Sequence, residues 1–269
     1  MKKSISVISL MLVFVLMIAG CGNSSSVSGD KSVDHSKKKI KIITYANWNP
    51  FEYLDNGKLV GFDVDLIEAL SKEAGYDYEI NNVGWDAMFE QLKSNTADVG
   101  ISGITITDAR KQTFDFSRPY FISRQSIVVK ENSAIHSGED LKGRKVAVQN
   151  GSTGQEAMEK LLGKNHEDIK KVKNGLSYME LIHGSVDAVV GDDTSNQEFI
   201  ANNSDQGLKR LQDEKTFSPE YFGIMYPKDS KVRADFDKAL EKLYENGTFA
   251  AIYKKWFKVE PNLEELKKK

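Results

Sequence analysis

The sequence switches between strand and helix patterns in the same order in each of its two halves, and this repetition constrains the fold more than any other feature. In the first half, β-rich runs at 41–45, 76–80 and 98–102 are separated by two stretches with apolar residues at helical spacing. The second half repeats this plan between residues 145 and 190. Strands that alternate with helices form mostly parallel sheets, so the sequence predicts two α/β units.

Two helices predicted near the C-terminus each have an apolar face that must pack against a sheet. Apolar residues share one helical face over 236–243 and again over 249–256. The runs 124–130 and 217–225 have the composition of extended connections. If the late helices return to the first unit, the chain crosses twice between the units and leaves a cleft with a hinge. The highly charged tail from Glu260 is expected to fray.

Overall composition excludes several classes of protein. The chain of 269 residues has a formal net charge of −2 and is 40% hydrophobic, which argues against a nucleic-acid binder and excludes a disordered chain. One cysteine cannot form an internal disulfide or a cysteine-based zinc site. The sequence lacks the common hydrolase and metalloprotease motifs, and its four histidines lack ligand spacing. We therefore predict that the protein is not an enzyme and holds no metal or cofactor.

The first twenty residues have the pattern of a signal peptide. Lys2 and Lys3 precede an apolar stretch over 5–19 that is short for a membrane span. The stretch ends in small residues before Cys21, which resembles a bacterial lipobox and implies cleavage before Cys21 with a diacylglycerol on its sulfur. Two acyl chains give stable anchoring. A plain secretory signal, or a signal anchor with an ordinary Cys21, fits the same residues. Residues 21–39, rich in Ser, Asp and Lys, are predicted to be a flexible tether.

Candidate binding residues lie where predicted strands end. Gly103 and Asp192 each follow a leading aspartate by five positions, and ligands of open α/β sheets bind beyond the carboxyl ends of strands. The loop 151–156 presents backbone N–H groups at a helix start, with Thr153 and Glu156 at capping-box spacing. The loop lacks the lysine of a nucleotide P-loop, so a carboxylate fits better than a triphosphate. A cap without a ligand fits the same loop.

An arginine and three aromatic residues complete the candidate set. Arg110 suits bidentate binding of a carboxylate, although a plain surface arginine also fits. Trp48 lies in a turn before a proline, where a large aromatic side chain has little core to fill, so a recognition role is favoured. Phe51 fits the core equally well, Trp85 fits helix-end packing, and Asp192 fits a helix N-cap.

Several motifs in a fixed order resemble the polar amino-acid-binding proteins of ABC importers. They are Pro50-Phe51-Glu52-Tyr53, the run from Gly61 to Leu66, and the run from Ser102 to Tyr120 that ends Asp-Phe-Ser-Arg-Pro-Tyr. The likeness continues through 151–154, 187–192 and 253–257, and so covers essentially all of the chain from residue 40. It is strongest to the arginine- and basic-amino-acid-binding members of Gram-positive bacteria.

This resemblance implies an α/β, type II periplasmic-binding-protein fold with two α/β lobes joined by two hinge strands. Lobe 1 would comprise 40–125 and 222–269, and lobe 2 would comprise 126–221, after a signal peptide over 1–20 and the tether over 21–39. The partners would be an amino acid and the membrane permease of an ABC importer. Lipidation of Cys21 would hold the protein, as a monomer, on the extracellular face of the cell membrane.

The resemblance also implies a role for each ligand-binding residue. Arg110 would bind the α-carboxylate of an amino acid, helped by the backbone N–H groups of Thr105 and Thr153. Asp192 would pair with the α-ammonium group, alongside the Gly103 carbonyl and the Thr105 hydroxyl. Trp48 and Trp85 would enclose the side chain. The full predicted set is Trp48, Phe51, Trp85, Ser102, Gly103, Thr105, Arg110, Thr153 and Asp192.

One position departs from the family's pattern. Basic-amino-acid and glutamine binders usually carry an acid three residues before the aromatic at Trp48, where this chain has Tyr45. Tyrosine can accept a hydrogen bond and stack, but it does not neutralise a guanidinium at pH 7. Because Trp48 and Trp85 would enclose the side chain, arginine, lysine or histidine remains the first expectation, and glutamine, cystine or another polar amino acid the next. A cyclohexadienyl-dehydratase-like enzyme and a ligand-sensing lipoprotein on the same fold are the alternative functions.

Overall fold

Residues 38–173 and 175–268, which the computed structural model describes, form two five-stranded sheets and two smaller ones. The first sheet has the spatial order β5 (Asp77–Asn82), β1 (Lys39–Thr44), β6 (Val99–Gly100), β15 (Met225–Pro227) and β7 (Phe114–Phe116). Strand β1 is parallel to β5 and β6, whereas β15 is antiparallel to β6 and β7. The predicted signal peptide, Cys21 and almost all of the predicted tether lie outside the described residues.

The second sheet repeats this plan. Its spatial order is β11 (Ile169–Val172), β10 (Val146–Gln149), β12 (Ala188–Asp192), β9 (Gln125–Lys130) and β13 (Leu208–Leu211). Strand β10 is parallel to β11 and β12, and β9 is antiparallel to β12 and β13. We refer to the parts of the chain built on the first and second sheets as lobe 1 and lobe 2.

Helices from both ends of the described chain cover the first sheet. Helix α1 (Phe62–Ala74) buries an apolar stripe and ends at Gly75, whose φ of 75° is the left-handed conformation of a helix C-cap. The late helices α7 (Lys231–Glu245) and α8 (Thr248–Phe257) share one buried cluster with α1. The late helices therefore pack on lobe 1, which is the condition under which the chain crosses twice between the lobes. Helix α2 (Trp85–Lys93) packs through Met88 and Leu92 in a second cluster.

The C-terminal segment is helical, so the expectation of a frayed tail from Glu260 is wrong. Helix α9 (Leu263–Lys267) begins after Asn262, whose side chain accepts from the Glu265 N–H. Leu266 is only 2% exposed and belongs to the core of lobe 1. The Tyr221 hydroxyl also donates to the Glu265 carboxylate at 2.8 Å. One buried leucine and one cap stabilise a segment whose charge alone suggested fraying.

Helices cover both faces of the second sheet, and successive side chains of β10 point to opposite faces. Val146 and Val148 pack with α4 (Thr153–Leu162). Ala147 lies in the cluster that includes α5 (Leu176–Ile182) and α6 (Asp193–Asn202) on the other face. Buried parallel strands show this pattern because both of their faces are covered by helices.

Two short strands carry the chain between the lobes. Strand β8 (Phe121–Ser123) pairs antiparallel with β14 (Glu220–Phe222), and this ribbon leads to β9 in lobe 2 and to β15 in lobe 1. The fold is therefore the predicted arrangement of two α/β lobes joined by two hinge strands, while the residue boundaries of the lobes stay a prediction. A three-stranded sheet of β2 (Asn47–Trp48), β3 (Glu52–Asp55) and β4 (Lys58–Val60), and the short helix α3 (Asp108–Lys111), complete lobe 1. Among the described residues, no helix has the length and apolar character needed to cross a membrane.

Candidate functional site

A cavity of about 410 Å³ lies between the two lobes, and side chains from both lobes line it. Of the nine predicted ligand-binding residues, eight line this cavity: Trp48, Trp85, Ser102, Gly103, Thr105, Arg110, Thr153 and Asp192. The same lining includes Tyr45, which occupies the position where the acid was expected. The predicted strand ends and the predicted helix start thus lie around one volume.

Phe51 is the exception, because it is fully buried beneath the cavity. Its ring stacks on Trp48 with 4.6 Å between the centroids, and it packs edge-on against Phe121 and Phe222. Trp48 also lies against Gly103, which has a φ of 51° and where an added Cβ would come within 1.8 Å of the indole. Only glycine permits this approach, so Phe51 and Gly103 together fix the indole that forms the cavity wall.

Arg110 extends from helix α3 across the cleft. Its Nη1 donates to the Thr105 carbonyl at 2.8 Å and its Nη2 to the Gly151 carbonyl in lobe 2 at 3.1 Å. The guanidinium lies 5.6 Å from the Trp85 ring centroid and 5.4 Å from that of Phe89, within cation–π range. Burial lowers the pKa of Arg110, and neighbouring carboxylates oppose that shift. Arg110 retains its charge in this setting, because a guanidinium is not deprotonated in proteins.

The helix start at lobe 2 is displaced by one residue from the predicted capping box. The N-cap is Ser152, not Thr153, and its Oγ accepts from the Gln155 N–H at 3.2 Å. Ser152 has the extended backbone that an N-cap requires, which makes Thr153 the first helical residue. The Thr153 hydroxyl is therefore directed into the cleft, where it donates to Glu220 at 2.7 Å.

Asp192 occupies the N-cap position of α6, but its side chain makes no capping bond. Its Oδ1 accepts from the Ser123 hydroxyl at 2.9 Å and from Gln125 Nε2 at 3.4 Å. Burial, and then the charge of Glu220, raise the pKa of Asp192 to about 7, while the Ser123 bond and Arg110 act in the opposite direction. A carboxyl group in this position binds a cation or a proton in competition.

Sequence reasoning missed Glu220, which lies in hinge strand β14. Its Oε2 accepts from the hydroxyls of Thr105 and Thr153 at 2.9 and 2.7 Å, and from Gln125 Nε2 at 3.2 Å. One carboxylate oxygen thus joins lobe 1, lobe 2 and the hinge. The only signal in the sequence was an acid within a segment predicted to cross between the lobes.

Sequence reasoning also missed Glu198, on helix α6. It lines the cavity in a stripe with Ser195, Phe199 and Asn202. Its Oε1 accepts from Asn49 Nδ2 of lobe 1 at 2.8 Å and from Asn202 Nδ2 at 2.9 Å. Helical spacing counted from Asp192 finds Ser195, Phe199 and Asn202, three, seven and ten positions further along, but it does not find Glu198, which is six positions along.

A pair of buried carboxyl groups supports the loop at the end of β6. The Ser102 hydroxyl donates to Glu52. Asp63 Oδ2 accepts from the Gly103 N–H at 3.1 Å and from the Tyr120 hydroxyl at 3.0 Å. Burial and the neighbouring Asp63 raise the pKa of Glu52 well above its ordinary value, and burial raises that of Asp63 to about 7. The pair therefore retains protons at pH values where exposed acids are ionised.

No group of three or more His, Cys, Asp or Glu side chains within the described ranges is arranged to hold a metal ion. The charged groups that face the cavity are of both signs and come from opposite lobes. Such an arrangement can bind a zwitterion by its two ends.

Comparison with known proteins agrees with this geometry. The model of the bacterial extracellular solute-binding proteins, family 3, matches residues 40–259. A probable histidine-binding protein of Neisseria gonorrhoeae is 35% identical, over 90% of this chain and 91% of that protein. The arginine-binding extracellular protein ArtP of Bacillus subtilis is 34% identical, over 96% and 98%. The crystal structure of the arginine-, lysine-, histidine-binding protein ArtJ of Geobacillus stearothermophilus superposes with a TM-score of 0.83 and 49% identity, covering 86% of this chain and all of that one.

Proposed function

The chain belongs to family 3 of the bacterial extracellular solute-binding proteins, and we propose that it captures a polar L-amino acid and delivers it to the permease of an ABC importer. Arginine, lysine or histidine is the first expectation, and glutamine or cystine the next. The observation that carries the proposal is that Arg110 and Asp192, of opposite charge, face one cavity from opposite lobes.

The two ends of an amino acid match these groups. Arg110 and the backbone N–H groups of Thr105 and Thr153 would bind the α-carboxylate. Asp192 would accept from the α-ammonium group, together with the Gly103 carbonyl and the Thr105 hydroxyl. A hydroxyl oxygen has two lone pairs, so Thr105 can accept from the ligand while it donates to Glu220.

Binding would act by closing the cleft. A bound zwitterion joins the carboxylate of one lobe to the guanidinium of the other, and each charge-assisted hydrogen bond contributes about 1.5–3 kcal/mol. A ligand shifts the equilibrium between open and closed forms only by its preference for the closed one. The closed form would be the one that the permease recognises.

The ligand's side chain would lie between Trp48 and Trp85, whose rings suit aliphatic or cationic groups. The names of the relatives support a basic amino acid, because ArtP is called arginine-binding and ArtJ arginine-, lysine-, histidine-binding. The remaining proposals are that the protein has no enzymatic activity, that it is a monomer, and that a lipid on Cys21 holds it at the extracellular face of the membrane.

A thermal-shift screen of the twenty amino acids and cystine tests the proposal. A ligand at a hundred times its Kd stabilises the folded state by about 2.7 kcal/mol, so arginine, lysine or histidine should raise the Tm clearly. Calorimetry then gives the Kd of each ligand that does so. A screen in which no amino acid changes the Tm would contradict the function.

A further inference from the structure

Three charged side chains line the cavity among the residues that the structure describes: Arg110, Asp192 and Glu198. In the proposed function the first two bind the α-carboxylate and the α-ammonium group, which every amino acid has. These groups therefore cannot distinguish one amino acid from another. Glu198 is the remaining charge, and the backbone of the ligand does not require it.

Glu198 lies away from the position proposed for the α-ammonium group. It is six residues beyond Asp192 on helix α6, and a rise of 1.5 Å per residue places it about 9 Å further along the helix axis. Both residues line the cavity, together with Ser195, which lies between them in the sequence, and Phe199, which follows Glu198. A ligand held at Asp192 would have to extend a long side chain along this stripe to reach Glu198.

Neutral groups hold the Glu198 carboxylate in place. Asn49 Nδ2 and Asn202 Nδ2 both donate to its Oε1, at 2.8 and 2.9 Å. None of the ion pairs found between described residues includes Glu198. A carboxylate has about four acceptor positions, so it can take further donors while both amides stay bound. Its negative charge is thus oriented by the protein but not neutralised by a cation of the described chain.

We infer that Glu198 is a specificity-determining residue, whose carboxylate accepts hydrogen bonds from the cationic side chain of a basic amino acid. The inference rests on the proposed function and narrows its substrate class to long, positively charged side chains. Tyr45, which also lines the cavity, carries no charge that could do this at neutral pH. Helix α6 of lobe 2 therefore supplies the acid that lobe 1 lacks at that position.

A purely structural role for Glu198 makes a different prediction. Its bond to Asn49 joins the lobes, and a neutral acceptor would keep this bond. Glu198→Gln leaves an amide oxygen for Asn49 and removes only the charge. The variant thus separates recognition of a cation from closure of the cleft.

The experiment compares L-arginine with L-citrulline, in which a neutral urea group replaces the guanidinium, by calorimetry. Wild-type protein should bind arginine more tightly than citrulline. Glu198→Gln should weaken arginine binding about tenfold or more, because a hydrogen bond to a charged group is lost, and should leave citrulline within about threefold. Asp205→Asn is the matched control, since it removes one exposed negative charge from lobe 2 outside the cavity, and it should change neither Kd.

Each other outcome overturns the inference. If Glu198→Gln weakens both ligands equally, the residue acts in cleft closure and not in specificity. If the Kd for arginine is unchanged, or if wild-type protein prefers citrulline, Glu198 does not bind a side-chain cation, although amino-acid capture stands. If wild-type protein binds no amino acid, the proposed function fails and this inference fails with it.

Discussion

The Thr153 hydroxyl donates to Glu220 Oε2 at 2.7 Å and so joins the first turn of a lobe 2 helix to a hinge strand. The same oxygen accepts from Thr105 of lobe 1. Glu220 is therefore bonded to both threonines whose backbone N–H groups we propose for the α-carboxylate. Its negative charge also raises the pKa of Asp192. The hinge thus influences both ends of the proposed ligand.

Affinity should depend on pH through Asp192. Its pKa is raised to about 7, and only its ionised form pairs with an ammonium group. As the pH falls below 7 the ligand must displace a proton, so we expect the Kd to rise by up to about tenfold per pH unit. Calorimetry from pH 5.5 to 8.5 measures this. A Kd that stays constant between pH 8 and 6 would contradict the assignment.

Glu220→Gln should move this dependence to lower pH. The substitution removes a negative charge that raises the pKa of Asp192, while the amide oxygen can still accept from the threonine hydroxyls. We expect the Kd to begin rising at a lower pH than in the wild type. Glu264→Gln, an exposed acid on α9 outside the cavity, serves as the control and should give the wild-type profile.

Arg110→Ala should weaken binding at least about a hundredfold, because the substitution removes a charged donor from a buried site. The fold should remain, since Arg110 lies at the cavity wall and outside the buried core. Calorimetry gives the affinity, and circular dichroism the fold. Arg144→Ala removes an exposed arginine of lobe 2 and should bind normally. Near-normal affinity in the Arg110 variant would refute the assigned role.

Stability should fall as the pH rises through the range in which Glu52 and Asp63 lose protons. The pKa of Asp63 is raised from 3.8 to about 7 and that of Glu52 well above 4.5, so the folded protein retains protons that the unfolded chain releases. The free energy of unfolding should decrease from about pH 4 to 7, by up to about 1.4 kcal/mol per pH unit for each proton. Urea denaturation at several pH values measures this slope.

Glu52→Gln tests the source of that slope. The introduced amide can still accept from Ser102 and donate to Asp63, but it does not titrate. We expect a shallower pH dependence and a smaller loss of stability at pH 8 than in the wild type. Asp205→Asn should keep the wild-type slope, and an unchanged slope in Glu52→Gln would show that the buried pair is not responsible.

Gly103→Ala should disturb the cavity wall more than the core. The added methyl group would meet the Trp48 ring at 1.8 Å, so the indole must move. We expect a change in tryptophan fluorescence and about tenfold weaker binding, in addition to the strain of a φ of 51°. Gly57→Ala is the control, because its φ is also positive but its Cβ would meet no atom within 4 Å.

The sequence was sufficient to predict that residues at the ends of strands lie near one another. Gly103 and Asp192 follow buried runs, and the sheet order brings both to the cavity. Arg110, which the sequence singles out by its chemistry, also lines the cavity. The predicted start of α4 differs from the observed one by one residue. Ser152 and Thr153 are both good N-cap residues, and only the backbone conformation selects between them.

The acids Glu198 and Glu220 could not be predicted in the same way. A charged residue on a helix face has the same sequence pattern whether that face meets solvent or a cleft between lobes. Glu220 gains its role from the pairing of β14 with β8, which joins segments about a hundred residues apart in the chain. Such placement depends on the tertiary fold, and the only sign of it in the sequence is that Glu220 lies in a segment predicted to cross between the lobes.

The position of β15 in the first sheet sets an order for folding. This strand lies between β6 and β7, and Met225 pairs with both Gly100 and Phe116. Lobe 1 therefore cannot close its sheet until the last part of the chain is available, whereas the second sheet uses one continuous segment from Gln125 to Leu211. A chain that emerges from its N-terminus can complete the second sheet first, while two unpaired strand edges of the first remain open to association with other chains.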